Sequence, residues 1–295
     1  MFVANEIASQ PSCWERAIEL SGAAPELPSP GERIAVVGCG TSLYIAQAYA
    51  ALRESAGLGE TDAFAASEFP YRREYDRVVA ICRSGTTTEV LNLLRTTSLP
   101  TVAVTGDPST PIADSAGSLV VLDFADETSV VQTRFATTAL TLLRAHLART
   151  EPSLLPADLV AQAAEAVNAP LPPGAAGRTQ FTFLGAGWTN GIAHEAALKV
   201  REASGSWTES YPAMEYRHGP ISVTDENSVV WFFGTPPDGL AAEVERAGAV
   251  VSVSALDPVA DLIRVQRLAV AIAENKGLNP DEPRNLTRSV ILADS

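Results

Sequence analysis

The chain has 295 residues, 46% of them hydrophobic and 19% charged, which suits one large domain or two of about 150 residues with full cores. A formal net charge of −14 argues against nucleic acid or an anionic membrane surface as partner, and it means that an anionic ligand must be held by local donors. Three scattered cysteines (Cys13, Cys39, Cys82) without C-x-x-C spacing, and three histidines (His146, His194, His218) without ligand spacing, lead us to expect a cytoplasmic protein with no disulfide framework, metal or other cofactor.

Residues 3–20 read as a helix interrupted near Pro11, with neither the basic start nor the apolar stretch of a signal peptide. No apolar run reaches the ~18 residues of a membrane span. Residues 22–32, rich in Pro and Gly, form a linker. The β-branched run Ile34–Val37 predicts a strand, Gly38-Cys39-Gly40-Thr41-Ser42 a turn, and Leu43–Arg53 a helix. Further strands are expected at Phe64–Phe69, Arg77–Cys82, Pro100–Val104 and Leu119–Leu122, with helices at Glu89–Thr96 and Val130–Arg149. Residues 151–178 combine a weak helix with LPPGAAG and mark a boundary. The pattern restarts with a strand at Phe181–Leu184, a Gly185-Ala186-Gly187 turn and a helix at Ile192–Ala203. Strands at Val229–Phe233 and Val250–Val253, a helix at Asp261–Asn275 and a tail from Gly277 to Ser295 follow.

The restart is an internal repeat. IAVVGCGTSLYIAQAYAAL from Ile34 aligns without a gap with FTFLGAGWTNGIAHEAALK from Phe181. Strands alternating with helices predict two related α/β halves, each an open parallel sheet, with a site at the carboxyl ends of the strands.

Two stretches carry chemistry. Cys82-Arg83-Ser84-Gly85-Thr86-Thr87-Thr88 follows a buried strand and opens a helix. Its hydroxyls and backbone N–H groups suit an anion, and they exceed what a helix cap needs. Cys39 to Ser42 offers similar equipment. Neither a Walker A sequence nor G-x-G-x-x-G is present, which disfavours nucleoside triphosphates and dinucleotides. In the second half, Glu195, Lys199 and Glu202 stand at i, i+4 and i+7 on one helical face, ahead of a cluster of Glu215, Arg217 and His218. Glu195 and Lys199 are equally compatible with an ordinary solvated pair, and a lone histidine is most often not catalytic. Phosphate donors together with a carboxylate and a histidine suit proton transfer on a phosphorylated small molecule, such as an aldose–ketose conversion.

These motifs resemble the SIS (sugar isomerase) family: NEIASQP at Asn5–Pro11, GCGTS at Gly38–Ser42, ASEF at Ala66–Phe69, RSGTTTE at Arg83–Glu89, EAALKVRE at Glu195–Glu202, EYRHGP at Glu215–Pro220 and PDEPRNLTRSV at Pro280–Val290. The likeness is strongest to the isomerase half of glucosamine-6-phosphate synthase and to stand-alone aminosugar-phosphate isomerases and deaminases. It implies an α/β fold of two tandem doubly wound, flavodoxin-like parallel-sheet subdomains: an arm at 1–30, a phosphate-binding half at 31–150, a linker at 151–178 and a catalytic half at 179–295.

By that resemblance Ser42, Ser84 and Thr87 grip the phosphate, beside Cys39, Gly40 and Thr41, while Cys82 and Arg83 line the same loop. Val130 and Gln132 line the sugar pocket, with Glu195 nearby. Glu202 moves the C1/C2 proton, Lys199 sits near the developing negative charge, and His218 opens the ring from a neighbouring subunit, implying a homodimer. Cys82 stands where the synthase usually has serine. Arg288 stands where the synthase has an imine-forming lysine, a reaction closed to a permanently protonated guanidinium, though Arg288 remains a candidate for binding substrate. With no glutaminase domain expected, deamination of glucosamine 6-phosphate to fructose 6-phosphate and ammonia is favoured. A deglycase or isomerase for another phosphosugar, and a non-catalytic sugar-phosphate sensor, are the alternatives.

Overall fold

The computed structural model describes residues 1–292. Helices α1 (Phe2–Ala8) and α2 (Gln10–Ser21) form the arm, and Pro11 falls in the first turn of α2, where its missing N–H costs nothing. The first half continues β1 (Ile34–Gly38), α3 (Thr41–Ser55), β2 (Thr61–Ala65), β3 (Arg77–Cys82), α4 (Thr88–Thr96), β4 (Thr101–Thr105), α5 (Ile112–Ser115), β5 (Ser118–Val121) and α6 (Arg134–Ala148). After α7 (Leu159–Asn168) the second half runs β6 (Gln180–Gly185), α8 (Thr189–Ser204), β7 (Thr208–Pro212), β8 (Ser228–Phe232), α9 (Leu240–Arg246), β9 (Val250–Val253) and α10 (Pro258–Asn275).

The strands form two all-parallel sheets, ordered β2-β1-β3-β4-β5 and β7-β6-β8-β9. The expected α/β class of two doubly wound halves is therefore observed. The repeat holds in topology, because β1 and β6 occupy equivalent inner positions. Their largely apolar sequences are those of strands covered on both faces: every residue of β1, β4 and β8 is buried, as is all of β6 except Gln180.

The two halves meet through α3 and α8, each following its half's first strand. At Gly191 in α8 an added Cβ would stand 2.7 Å from Ala48 N and Tyr44 O of α3. Only glycine permits that approach. The arm joins both halves: the Trp14 indole donates to Thr137 Oγ1 of α6 at 3.0 Å, and Gln10 Nε2 donates to Gln266 Oε1 of α10 at 2.7 Å.

The structure corrects several expected boundaries. The strand expected at 64–69 lies at Thr61–Ala65, and Ala66–Glu68 is a 3₁₀ turn. The helix expected from Val130 begins at Arg134. There the Glu127 carboxylate accepts from Thr133 N at 2.6 Å and Arg134 N at 2.8 Å, which fixes the helix start. Helices α5 and α9 and strand β7 were not anticipated. The tail recrosses to the first half. Val130 N donates to Asp281 O at 3.5 Å, Thr88 N to Val290 O at 3.2 Å, and Leu292 N to Thr88 Oγ1 at 2.9 Å. The expected tail's last three residues lie outside the described residues.

Candidate active site

Helix α8 is built from Ala-rich sequence and stops at Gly205, which takes a left-handed conformation at φ 60°. Glu195 and Lys199 are buried against α3 rather than solvated, with side chains 0% and 1% exposed. This removes the surface-pair interpretation. Lys199 Nζ lies 3.5 Å from Glu195 Oε1 and pairs closely with Glu202 Oε2. The Thr41 hydroxyl of α3 reaches Glu195 Oε1 at 3.4 Å, while Glu195 Oε2 has no partner.

The electrostatics follow from this packing. Burial pushes Glu195 up to about 8; Lys199 opposes the shift and the Glu202 charge adds to it. Burial pulls Lys199 down, but Glu195 and Glu202 outweigh it and the net direction is up. Lys199 is therefore an ammonium at neutral pH. Glu202 is its partly buried partner, with a side chain 20% exposed.

Glu202 faces a cavity of ≈ 160 Å³. Cys39, Gly40, Thr41 and Thr87 line it from the first half, Val130 and Gln132 from the loop before α6, and Leu286 to Val290, including Arg288, from the tail. Eight of the sequence-predicted site residues thus surround one space. Gly40 turns the chain from β1 into α3 at φ 55°. The Cys39 thiol is pushed up to about 11 by burial and by the nearby Glu89, so it is not a nucleophile at neutral pH. Gln132 Oε1 has no partner among the described residues, leaving an acceptor for a ligand donor.

The remaining predicted residues lie outside this lining. Ser42 and Cys82 are buried at the start of α3 and the end of β3. Ser84, also buried, accepts from Thr86 N at 3.3 Å. Arg83 is 2% exposed. Its guanidinium donates to Ser129 O at 3.0 Å, Val130 O at 3.4 Å and Arg288 O at 2.9 Å, and stands 3.6 Å from Glu127 Oε2. It braces three segments of the site. His218 is exposed on a 3₁₀ turn, Glu215–His218, away from the cavity. The neighbouring Arg217 pairs with Glu243 at 2.9 Å.

Arg288 directs Nη2 at both oxygens of Asp126, at 2.6 and 2.7 Å, and Nη1 at the Glu127 carbonyl. The guanidinium fixes the tail to the first half. Sequence reasoning missed Asp126 and the tail residues Leu286, Thr287, Ser289 and Val290. Ser289 Oγ lies 2.9 Å from Thr86 Oγ1 of the hydroxyl-rich loop. It also missed two buried carboxylates that hold the loop carrying Val130 and Gln132. Glu6 accepts from Thr128 N at 2.6 Å, Ser129 N at 3.3 Å and the Ser129 hydroxyl, and Glu127 holds the following turn. Glu6 lies in NEIASQP, the available signal.

No family model matches the chain. Glutamine–fructose-6-phosphate aminotransferase (isomerizing) of Bacteroides thetaiotaomicron is 28% identical over 316 residues, covering 88% of this chain and 51% of that protein. The enzyme of the same name from Methanothermobacter thermautotrophicus is 28% identical over 338 residues, covering 98% and 57%. The chain spans about half the length of the curated relatives it matches. Among solved structures, glucosamine-6-phosphate deaminase from Thermotoga maritima superposes with a TM-score of 0.82 at 24% identity, covering 98% of this chain and 99% of that one. The C-terminal domain of glucosamine-fructose-6-phosphate aminotransferase from Francisella tularensis gives 0.74 at 22%, covering 96% and 98%. In sequence and in fold the chain is thus similar to the isomerase domain of glutamine–fructose-6-phosphate aminotransferase, within the sugar isomerase (SIS) family that its motifs resemble.

Proposed function

We propose that the chain is a phosphosugar isomerase that moves a proton between C1 and C2 of a hexosamine 6-phosphate, converting glucosamine 6-phosphate and water into fructose 6-phosphate and ammonia. The observation that carries this is Glu202. It is the partly exposed member of a buried charge cluster, and it faces a cavity bounded by the hydroxyl-rich turns of the first half.

Ser42, Ser84 and Thr87 receive the phosphate, aided by the N-terminus of α4. Once the ring is open, Glu202 takes the C2 proton of the aldehyde form. The electron pair forms a C1–C2 double bond, and the developing charge on the C1 oxygen is stabilised near the Lys199 ammonium. The C1 oxygen takes a proton from water and Glu202 returns its own proton to C1, giving a C1 hydroxyl and an iminium at C2; the extra proton is released when that iminium is hydrolysed. Water adds there, and ammonia leaves as the C2 carbonyl forms. His218, exposed here, opens the ring from a second copy of the chain in a homodimer. Arg288, held by Asp126, shapes the sugar side of the cavity and forms no imine.

The test is incubation with glucosamine 6-phosphate, measuring ammonia and fructose 6-phosphate separately. Both are expected in equal amounts. Glu202→Gln keeps the shape but removes the charge that faces Lys199; it is expected to lower the rate about 10²- to 10⁴-fold and to lower the melting temperature while the chain still folds and binds fructose 6-phosphate. Full turnover in that variant would exclude Glu202 as the base. Fructose 6-phosphate binding without turnover in the parent chain would favour the sensor.

A further inference from the structure

At the other end of α3 from Thr41, about 20 Å along a 15-residue helix, lies a second polar cavity of ≈ 300 Å³. Arg53, His146 and Arg149 line it together with the Pro28-Ser29-Pro30 turn, and no carboxylate does. In a chain of net charge −14, two guanidiniums lining one cavity with no carboxylate beside them call for a cause.

Arg53 makes the case sharper. It is 0% exposed, yet makes no ion pair among the described residues. Nη1 donates to Thr61 Oγ1 and Nη2 to Ser29 O, both at 2.8 Å, and Nε has no partner. The nearest acids are engaged elsewhere. Glu32 pairs with Arg77 at 3.2 Å, and Glu54 accepts from Thr61 N at 2.9 Å. An unpaired buried guanidinium is costly unless something supplies charge-assisted bonds. Two neighbours are also short of partners: His146 Nδ1 in the cavity lining, and the hydroxyl of fully buried Tyr49 one helical turn before Arg53. Gly59 closes over the guanidinium, where an added Cβ would stand 2.8 Å from Arg53 Nη1. Arg53 is thus held in place.

We propose that this cavity is a second anion site, taking free phosphate or the phosphate group of a small phosphate ester. Arg53 supplies the buried charge, Arg149 the charge at the mouth, and His146 a ring nitrogen. Such donors hold a phosphate by short charge-assisted bonds, and the volume leaves room for a small organic group beside it. The site is separate from the hydroxyl-rich loop and does not depend on the proposed reaction.

The chain's three histidines provide the readout. Inorganic phosphate, and in a second arm fructose 6-phosphate, is titrated into the full chain carrying Ser84→Ala and Thr87→Ala, while the histidine ring signals are followed by NMR. The His146 signal is expected to move and saturate below about 10 mM, with His194 and His218 unmoved. Arg149→Ala, at an exposed position, is expected to raise the dissociation constant about tenfold, as is Arg53→Met. A response to both probes identifies phosphate itself as sufficient, and a response to fructose 6-phosphate alone identifies an ester. The proposal is overturned if His146 does not move, or if its movement survives both arginine variants. It is also overturned if the movement occurs only while Ser84 and Thr87 are intact. Failure of the proposed reaction would leave the His146 result standing.

Discussion

The Glu195–Lys199–Glu202 row shows how one face of a helix acquires two different carboxylates. Glu195 is sealed against α3 and holds a proton near neutrality, so the Lys199 charge is left chiefly to Glu202. Its folded value of about 8 lies above its ordinary 4.5. Between those values the folded protein keeps a proton that the unfolded chain releases, so this residue's contribution to stability falls as pH rises and the loss is complete above about 8. Glu195→Gln has no such proton to lose. Its melting temperature is expected to decline less than the parent's between pH 5 and 8, by roughly 2–6 °C. Parallel melting curves across that range would contradict the assignment. Lys199→Met leaves Glu202 without its ion-pair partner and Glu195 without its Lys199 contact, and should cost about 3 kcal/mol in denaturant unfolding. The i, i+4, i+7 spacing was legible in the sequence because helix geometry is fixed. Burial was not, since it depends on the packing of α8 against α3, where Thr41 meets Glu195 from 154 positions away in the chain.

At the scale of elements, the inner strands were the most readable, because their apolar runs leave no other choice. Edge strand β7, TESYP, carries polar residues on an uncovered side and gives no such signal. The start of α6 was missed because it is set by side-chain bonds from Glu127 and not by propensity. The tail has no periodicity, and its course follows from bonds to Asp126, Thr86 and Thr88. Asp126→Asn weakens the anchor of Arg288 at a partly exposed position. It is expected to raise the dissociation constant for fructose 6-phosphate about tenfold while the melting temperature stays within about 2 °C. Gly191→Ala places a methyl group against the α3 backbone. Urea unfolding should report a loss of about 1–3 kcal/mol, and an unchanged midpoint would mean that α3 and α8 are free to separate.

For the whole molecule, the repeat was legible and predicted two similar sheets, but not how their duties divide. Under the proposed function the first half contributes hydroxyls and backbone donors and the second the proton carrier Glu202, and neither has both. In the same proposal His218 would extend this division to a second copy. If the site is shared, mixing Glu202→Gln with His218→Ala chains under conditions that exchange subunits should restore up to about a quarter of parental activity, the share expected when random pairing gives each mixed dimer one intact site. No recovery would place His218 outside the reaction. The tail's path has a consequence for synthesis. Its contacts join residues more than 200 positions apart, such as Arg83 with Arg288 and Thr86 with Ser289. Because domains fold as units while the chain is still emerging from the ribosome, both sheets would be assembled before the wall of the cavity leaves the exit tunnel. A nascent chain stalled short of residue 286 would carry the carboxylate, the lysine and the hydroxyl loop, yet lack one wall of the cavity that Glu202 faces.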